Sequence, residues 1–128
     1  MGNNPKKILV VDDEPDLLNF LGAFLQDNGF DVIFASDGKE CLKKAKEEQP
    51  DLITLDITMP EESGVRAFRN IQEDEQTKDI PVIIVTGVTS EFKKFIHTRK
   101  VVKPPAAYME KPVDTSALLA KINEILGQ

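Results

Sequence analysis

The stretch Ile8-Leu9-Val10-Val11-Asp12-Asp13-Glu14 decides how this chain is read. Four apolar residues stand on consecutive positions, three of them β-branched, as expected of a strand buried on both faces of a parallel sheet. Three acids follow at once. Further along, Leu52-Ile53-Thr54-Leu55 and Val82-Ile83-Ile84-Val85 show the same apolar character. Val32-Ile33-Phe34 and Ala106-Ala107-Tyr108-Met109 are weaker runs and are expected at the edges.

Helix-period segments separate the runs. Leu17, Leu18, Leu21, Phe24 and Leu25 follow i, i+1, i+4, i+7, i+8, and Leu118, Leu119, Ile122, Ile125 and Leu126 do the same. Asn28-Gly29 ends the first helix; the second begins near Asp37-Gly38 and closes between Glu47 and Pro50. Phe68 and Ile71 mark a third helix, and Phe92, Phe95 and Ile96 a fourth. Strand and helix alternate five times. The expected fold is therefore α/β: a doubly wound sheet of five parallel strands with right-handed crossovers. No repeat or linker interrupts it, so residues 1–128 read as a single domain with a core from about 6 to 126.

Composition narrows the function. The 128 residues carry 16 bases against 22 acids, a formal charge of -6, which argues against nonspecific nucleic-acid binding. With 41% apolar and 30% charged residues the chain can bury a core. The lone Cys41 excludes an internal disulfide and a cysteine-cluster zinc site, consistent with a reducing cytoplasm. No apolar run approaches the ~20 residues of a spanning helix. Lys6 occupies the place where a myristoylation signal needs Ser or Thr. A cytoplasmic protein without a membrane partner is expected.

Polar residues cluster just after the strand runs. Asp12 and Asp13 follow the first, Asp56 the third, Thr86 and Gly87 the fourth, and Lys111 comes two residues after the fifth. In a parallel sheet all these ends share one edge, where such folds bind ligands. Residues a hundred positions apart should meet in one acidic pocket holding a lysine and a hydroxyl. Three close carboxylates repel one another and call for a proton or a cation. Hard oxygen ligands with room for water suit Mg²⁺. A carboxylate beside that ion can act as a nucleophile on phosphorus, and Lys and Thr can stabilise the transferring oxygens. The site reads as one for phosphoryl capture.

These residues resemble a known family. Asp12-Asp13, Asp56-Ile57-Thr58-Met59-Pro60 with Gly64 after it, Thr86-Gly87 and Lys111-Pro112 together resemble the receiver domain of two-component response regulators, over essentially the whole chain. The resemblance implies a flavodoxin-like (βα)5 fold and a phosphoryl group taken onto Asp56 from a histidine kinase or phosphotransfer protein. It implies Mg²⁺ as cofactor, with Asp13 a direct ligand, Asp12 holding it largely through water, and Thr58 offering its backbone carbonyl. Lys111 would contact the phosphoryl group, with a cis bond to Pro112. Thr86 would hydrogen-bond a phosphoryl oxygen, Gly87 would leave it room, and Tyr108 would change rotamer as the output. In that scheme the domain is a phosphoacceptor that promotes its own phosphorylation and dephosphorylation, not a turnover enzyme.

Plainer readings stand beside these. Asp12 and Asp13 also suit a helix N-terminus, and Thr86 a cap. Lys111 suits a surface ion pair, Tyr108 an edge-strand aromatic, Cys41 a small core residue, and Glu40 with Lys44 an i, i+4 helix pair. A phosphorylation-independent interaction module of the same fold is an alternative function. So is an aspartyl-phosphate phosphatase, although its second acid is missing at Thr58. The stretch from Thr86 to Lys111 is longer than the usual pattern, and Lys103-Pro104-Pro105 must end any helix there. Segment 92–109 holds no acid, and Lys93, Lys94, Arg99, Lys100 and Lys103 carry five positive charges in a chain of net charge -6. It suits either recognition of an acidic downstream partner or a solvated helix.

Overall fold

The computed structural model describes residues 5–57, 63–86 and 105–127. Elements alternate as β1 (Lys7–Val11), α1 (Pro15–Asp27), β2 (Asp31–Ala35), α2 (Gly38–Glu48), β3 (Leu52–Asp56), α3 (Ser63–Glu73), β4 (Val82–Thr86), β5 (Ala107–Glu110) and α4 (Thr115–Leu126). The strands form one parallel sheet in the order β2-β1-β3-β4-β5. The two weak apolar runs are the two edge strands, as their composition suggested. The helix expected around Phe92, Phe95 and Ile96 lies outside the described residues.

Burial explains why the central strands lack alternation. Leu9, Val11, Ile53, Leu55, Val82 and Ile84 belong to a buried cluster with Cys41, Ala45, Phe68 and Ile71, on the α2 and α3 face. Their neighbours Ile8, Val10, Leu52, Ile83 and Val85 join Leu21, Leu25, Leu118 and Ile122 on the α1 and α4 face. Each central strand thus supplies two cores, one per face, and needs apolar side chains at both parities. Phe68 is fully buried, and its truncation to Ala would cost about 3–5 kcal/mol. On the other face Gly22 lets α1 approach the β2 side chains, because a Cβ there would stand 2.5 Å from Phe34 Cζ.

Local chemistry sets the helix ends. Asp37 accepts the Glu40 amide at 2.8 Å and starts α2, and Asp114 accepts the Ala117 amide at 3.1 Å and starts α4. Asn28 caps α1 and Gly29 follows at φ 90°. Glu40 does more than its expected i, i+4 pairing with Lys44, which is present at 3.4 Å. Its carboxylate also accepts the Ser36 amide at 2.8 Å, tying the start of α2 back to the end of β2. Helix α1 differs: Glu14 is its N-cap and makes no side-chain cap bond. The reading of Asp12 and Asp13 as its caps is therefore incomplete. Asp12 does accept the Glu14 amide at 2.9 Å, but both acids precede the cap position.

Cys41 is the core residue its sequence context implied, with no solvent exposure. Burial, with a smaller contribution from the Asp37 charge, pushes its thiol up to about 12. Against an ordinary thiol this leaves about a thousandfold less thiolate at pH 8. Alkylation by iodoacetamide at that pH should run at least about a hundredfold slower in the folded chain than in guanidinium. Equal rates would show that α2 does not seat Cys41 as described.

Candidate phosphoryl-transfer site

The strand order reverses direction between β1 and β3, and this switch point is where open α/β sheets bind ligands. The pairing of β1 with β3 runs to Val11 beside Leu55. One residue further, Asp12 comes beside Asp56. Both are almost fully buried at 2% exposure, whereas Asp13 is exposed. Carboxylate oxygens of Asp12, Asp13 and Asp56 lie within 4.8 Å of one another. Backbone bonds hold the two strand ends: the Asp12 amide donates to Ala35 O at 3.2 Å, and the Ile57 amide to Val85 O at 3.4 Å.

Lys111 reaches this cluster from beyond β5. Its Nζ stands 3.2 Å from Asp12 Oδ2 and 3.2 Å from Asp56 Oδ2, bridging two buried carboxylates. The Lys111-Pro112 bond is cis, as expected. The surface ion-pair reading fails here, since the ammonium is turned into the site. Sequence reasoning found no role for Glu14 beyond the acid run. Its Oε1 lies 3.5 Å from Lys111 Nζ, so the lysine faces three acids from above and within. The signal was the third acid of Asp12-Asp13-Glu14, which no local pattern separates from helix-start chemistry.

Charge in this space is unbalanced. Burial raises the Asp12 carboxyl above its usual range; the Glu14 amide and Lys111 oppose this, and the Asp56 charge reinforces it. Burial works against the Lys111 ammonium, but the Asp56 and Asp12 charges raise its pKa overall. The donor set of three carboxylates is hard and anionic. A small dication bound by oxygen at about 2.1 Å spans about 4.2 Å between opposed ligands. Oxygens grouped within 4.8 Å are close to that span, so these residues fit such an ion.

Other expected residues are placed unevenly. Thr86 ends β4, with its backbone beside Glu110 in the β4–β5 register; its side chain lies outside the described residues. Thr58 and Gly87 lie wholly outside them. Tyr108 pairs with Ile84 on edge strand β5 and packs partly buried against the core on the α2 and α3 face. Gly64 opens α3 directly against the end of β3. A Cβ there would come within 2.4 Å of Asp56 O and 2.3 Å of Ile57 Cα, so only glycine lets the helix seat there.

A five-stranded parallel sheet with three carboxylates and a lysine at its switch point defines a class of phosphoryl-accepting signalling domains. Comparison with known proteins agrees. The family described as response regulator receiver domain matches residues 8–123. Protein PilH of Pseudomonas aeruginosa is 38% identical over 94% of this chain and 98% of its own length. The alkaline phosphatase synthesis transcriptional regulatory protein PhoP of Bacillus subtilis is also 38% identical over 94% of this chain, which spans 48% of that protein. The structure of the chemotaxis response regulator CheY4 of Vibrio cholerae superposes with a TM-score of 0.82 at 31% identity, covering 96% of this chain and all of that one. The chain belongs to the response regulator receiver domain family. It is a phosphorylation-accepting receiver of two-component signalling, in a family of signalling proteins rather than turnover enzymes. Among the described residues no helix is long and apolar enough to cross a membrane.

The raised Asp12 carboxyl makes a stability prediction. Between the ordinary and the raised value, the folded chain keeps a proton that the unfolded chain has lost. Stability therefore falls as pH rises through that window and stays lower above it. Asp12→Asn should raise the melting temperature at pH 7 in EDTA, each kcal/mol regained reading as about 3–6 °C. A variant that melts below the wild type would show that the Lys111 pairing outweighs the burial of the charge.

Proposed function

We propose that Asp56 is the phosphoacceptor, with Lys111, Thr86 and the Asp12–Asp13 pair serving it. The observation that carries this is the buried Asp56 carboxylate at the end of β3, held 3.2 Å from Lys111 Nζ and grouped with two further acids. An Asp56 oxygen attacks the phosphorus of a phosphohistidine, or of a small phosphodonor. The phosphorus–oxygen bond forms as the phosphorus–nitrogen bond breaks, and the departing imidazole keeps the electron pair and takes up a proton. Lys111 pairs with the arriving phosphoryl charge, and the Thr86 hydroxyl hydrogen-bonds one of its oxygens. Asp13 and Asp56 would hold Mg²⁺ directly, Asp12 largely through water, and Thr58 through its carbonyl. That ion supplies charge neutralisation for the carboxylates and the transferring group.

The same side chains promote loss of the phosphoryl group to water, so the acceptor resets itself. Phosphorylation shifts the population toward a conformation that a partner reads, with Thr86 and Tyr108 moving between two arrangements. We read residues 1–128 as one receiver domain acting in the cytoplasm, with a histidine kinase or phosphotransfer protein upstream. The formal charge of -6 supports a protein target downstream rather than direct contact with nucleic acid. Segment 92–109, with its five bases and no acid, suits an acidic surface on that target.

Incubation with Mg²⁺ and acetyl phosphate should add about 80 Da to the intact mass of the wild type and nothing to Asp56→Asn. If phosphorylated histidine kinases also fail to add it, the phosphorylation-independent interaction module becomes the better reading. MgCl2 at ten times its dissociation constant should stabilise the wild type by about 1.4 kcal/mol, and Asp13→Asn should lose that gain. Once a downstream partner is in hand, Lys93→Gln with Lys94→Gln and Lys100→Gln should weaken binding and flatten its salt dependence. Unchanged affinity would remove segment 92–109 from the interface.

A further inference from the structure

A groove of about 750 Å³ runs between α2 and α3, and no residue of the carboxylate cluster lines it. Its α2 wall carries Lys39, Lys43 and Lys46 at i, i+4 and i+7, one stripe of the helix; Arg66 and Asn70 stand at i and i+4 on α3. Half-buried Leu42 and buried Ala67 supply apolar surface between them. Two acids, Asp37 and Glu47, border it. Asp37 is engaged in capping α2, and Lys46 reaches out to Asp74 at 3.4 Å.

Lys39, Lys43 and Arg66 are exposed, and among the described residues none has a carboxylate partner. Every other described lysine or arginine except Lys6 has one. Three of the unpaired cations of an acidic chain therefore converge on one groove. We propose that this α2–α3 groove docks an acidic, aliphatic-bearing peptide segment of a partner protein, through Lys39, Lys43 and Arg66 around Leu42 and Ala67.

Charge complementarity selects the occupant. Cations around an apolar strip match a helical segment that carries carboxylates beside a row of Leu- or Ile-like side chains. The lining holds no aromatic residue on which a base would stack, which disfavours a nucleic-acid strand. The volume falls within the range of ligand sites, but the flanking stems of Lys and Arg favour an extended contact over an enclosed small molecule. The inference does not rest on the phosphoryl chemistry, because no groove residue belongs to that cluster.

The test uses the full-length ¹⁵N-labelled chain and an acetylated, amidated peptide of Glu and Leu at helical spacing. Titration should shift the amides around Lys39, Lys43, Arg66 and Asn70, with affinity falling at least about fivefold between about 20 and about 300 mM NaCl. Lys39→Gln with Lys43→Gln and Arg66→Gln should weaken binding about tenfold or more, while phosphoryl uptake from acetyl phosphate and the far-ultraviolet dichroism stay unchanged. The proposal is overturned by any of four results: no saturable binding, equal binding by the triple variant, shifts centred on 92–103, or equal binding by a peptide with Gln for Glu. Inorganic phosphate or a single-stranded oligonucleotide binding the same residues more tightly than the peptide would overturn it in favour of those ligands.

Discussion

Parallel pairing is the constraint on which this molecule depends. Five strands that all run the same way must end on the same edge, and each must be carried back by a crossover on one face or the other. Whatever residue follows each strand is delivered to that edge. Asp12, Asp56 and Lys111 come from the ends of three strands and meet within 3.2 Å of a single ammonium nitrogen. No local segment of the chain contains this arrangement. The two packed cores hold the strand ends in register, so hydrophobic burial positions the polar chemistry.

That positioning has a cost, and it is electrostatic. Asp12 and Asp56 are stripped of water and set side by side, with one lysine to balance them and Asp13 and Glu14 close by. Burial raises the Asp12 carboxyl, the sign expected of a charge held against its preference. Helix α1 shows the same priority. It starts without a side-chain cap: Glu14 stands at the cap position and its carboxylate reaches Lys111 instead. A cluster so under-compensated is suited to a cation, whose charge would offset the excess of the carboxylates. Gly64 adds a mechanical link, since α3 rests on the Asp56 carbonyl with no side chain between them.

Much of this was legible one residue at a time. The uninterrupted apolar runs at 8–11, 52–55 and 82–85 marked strands buried on both faces, and the weaker runs marked the edges. Asp37 and Asn28-Gly29 marked helix ends through capping chemistry that acts over three or four residues. Glu14 was not legible as a partner of Lys111, because 97 positions separate them and a helix-start acid looks the same in either role. The reach of Glu40 to Ser36 was missed for a related reason: an i, i+4 lysine offered a sufficient explanation. Thr58, Gly87 and the basic stretch around Lys93 to Lys103 stand outside the described residues, so their roles rest on the resemblance and on charge.

Sequence by itself determined the strands, the four described helices, the acids that follow β1 and β3 and the family those motifs define, because periodicity, capping and motif spacing are properties of short segments. Tertiary structure alone decided that Lys111 bridges two buried carboxylates, that Glu14 joins it, and that Lys39, Lys43 and Arg66 share a groove. Those facts depend on how far apart two strands end and how two helices are rotated about their axes. Such distances are set by packing across the whole sheet, and no local pattern encodes them.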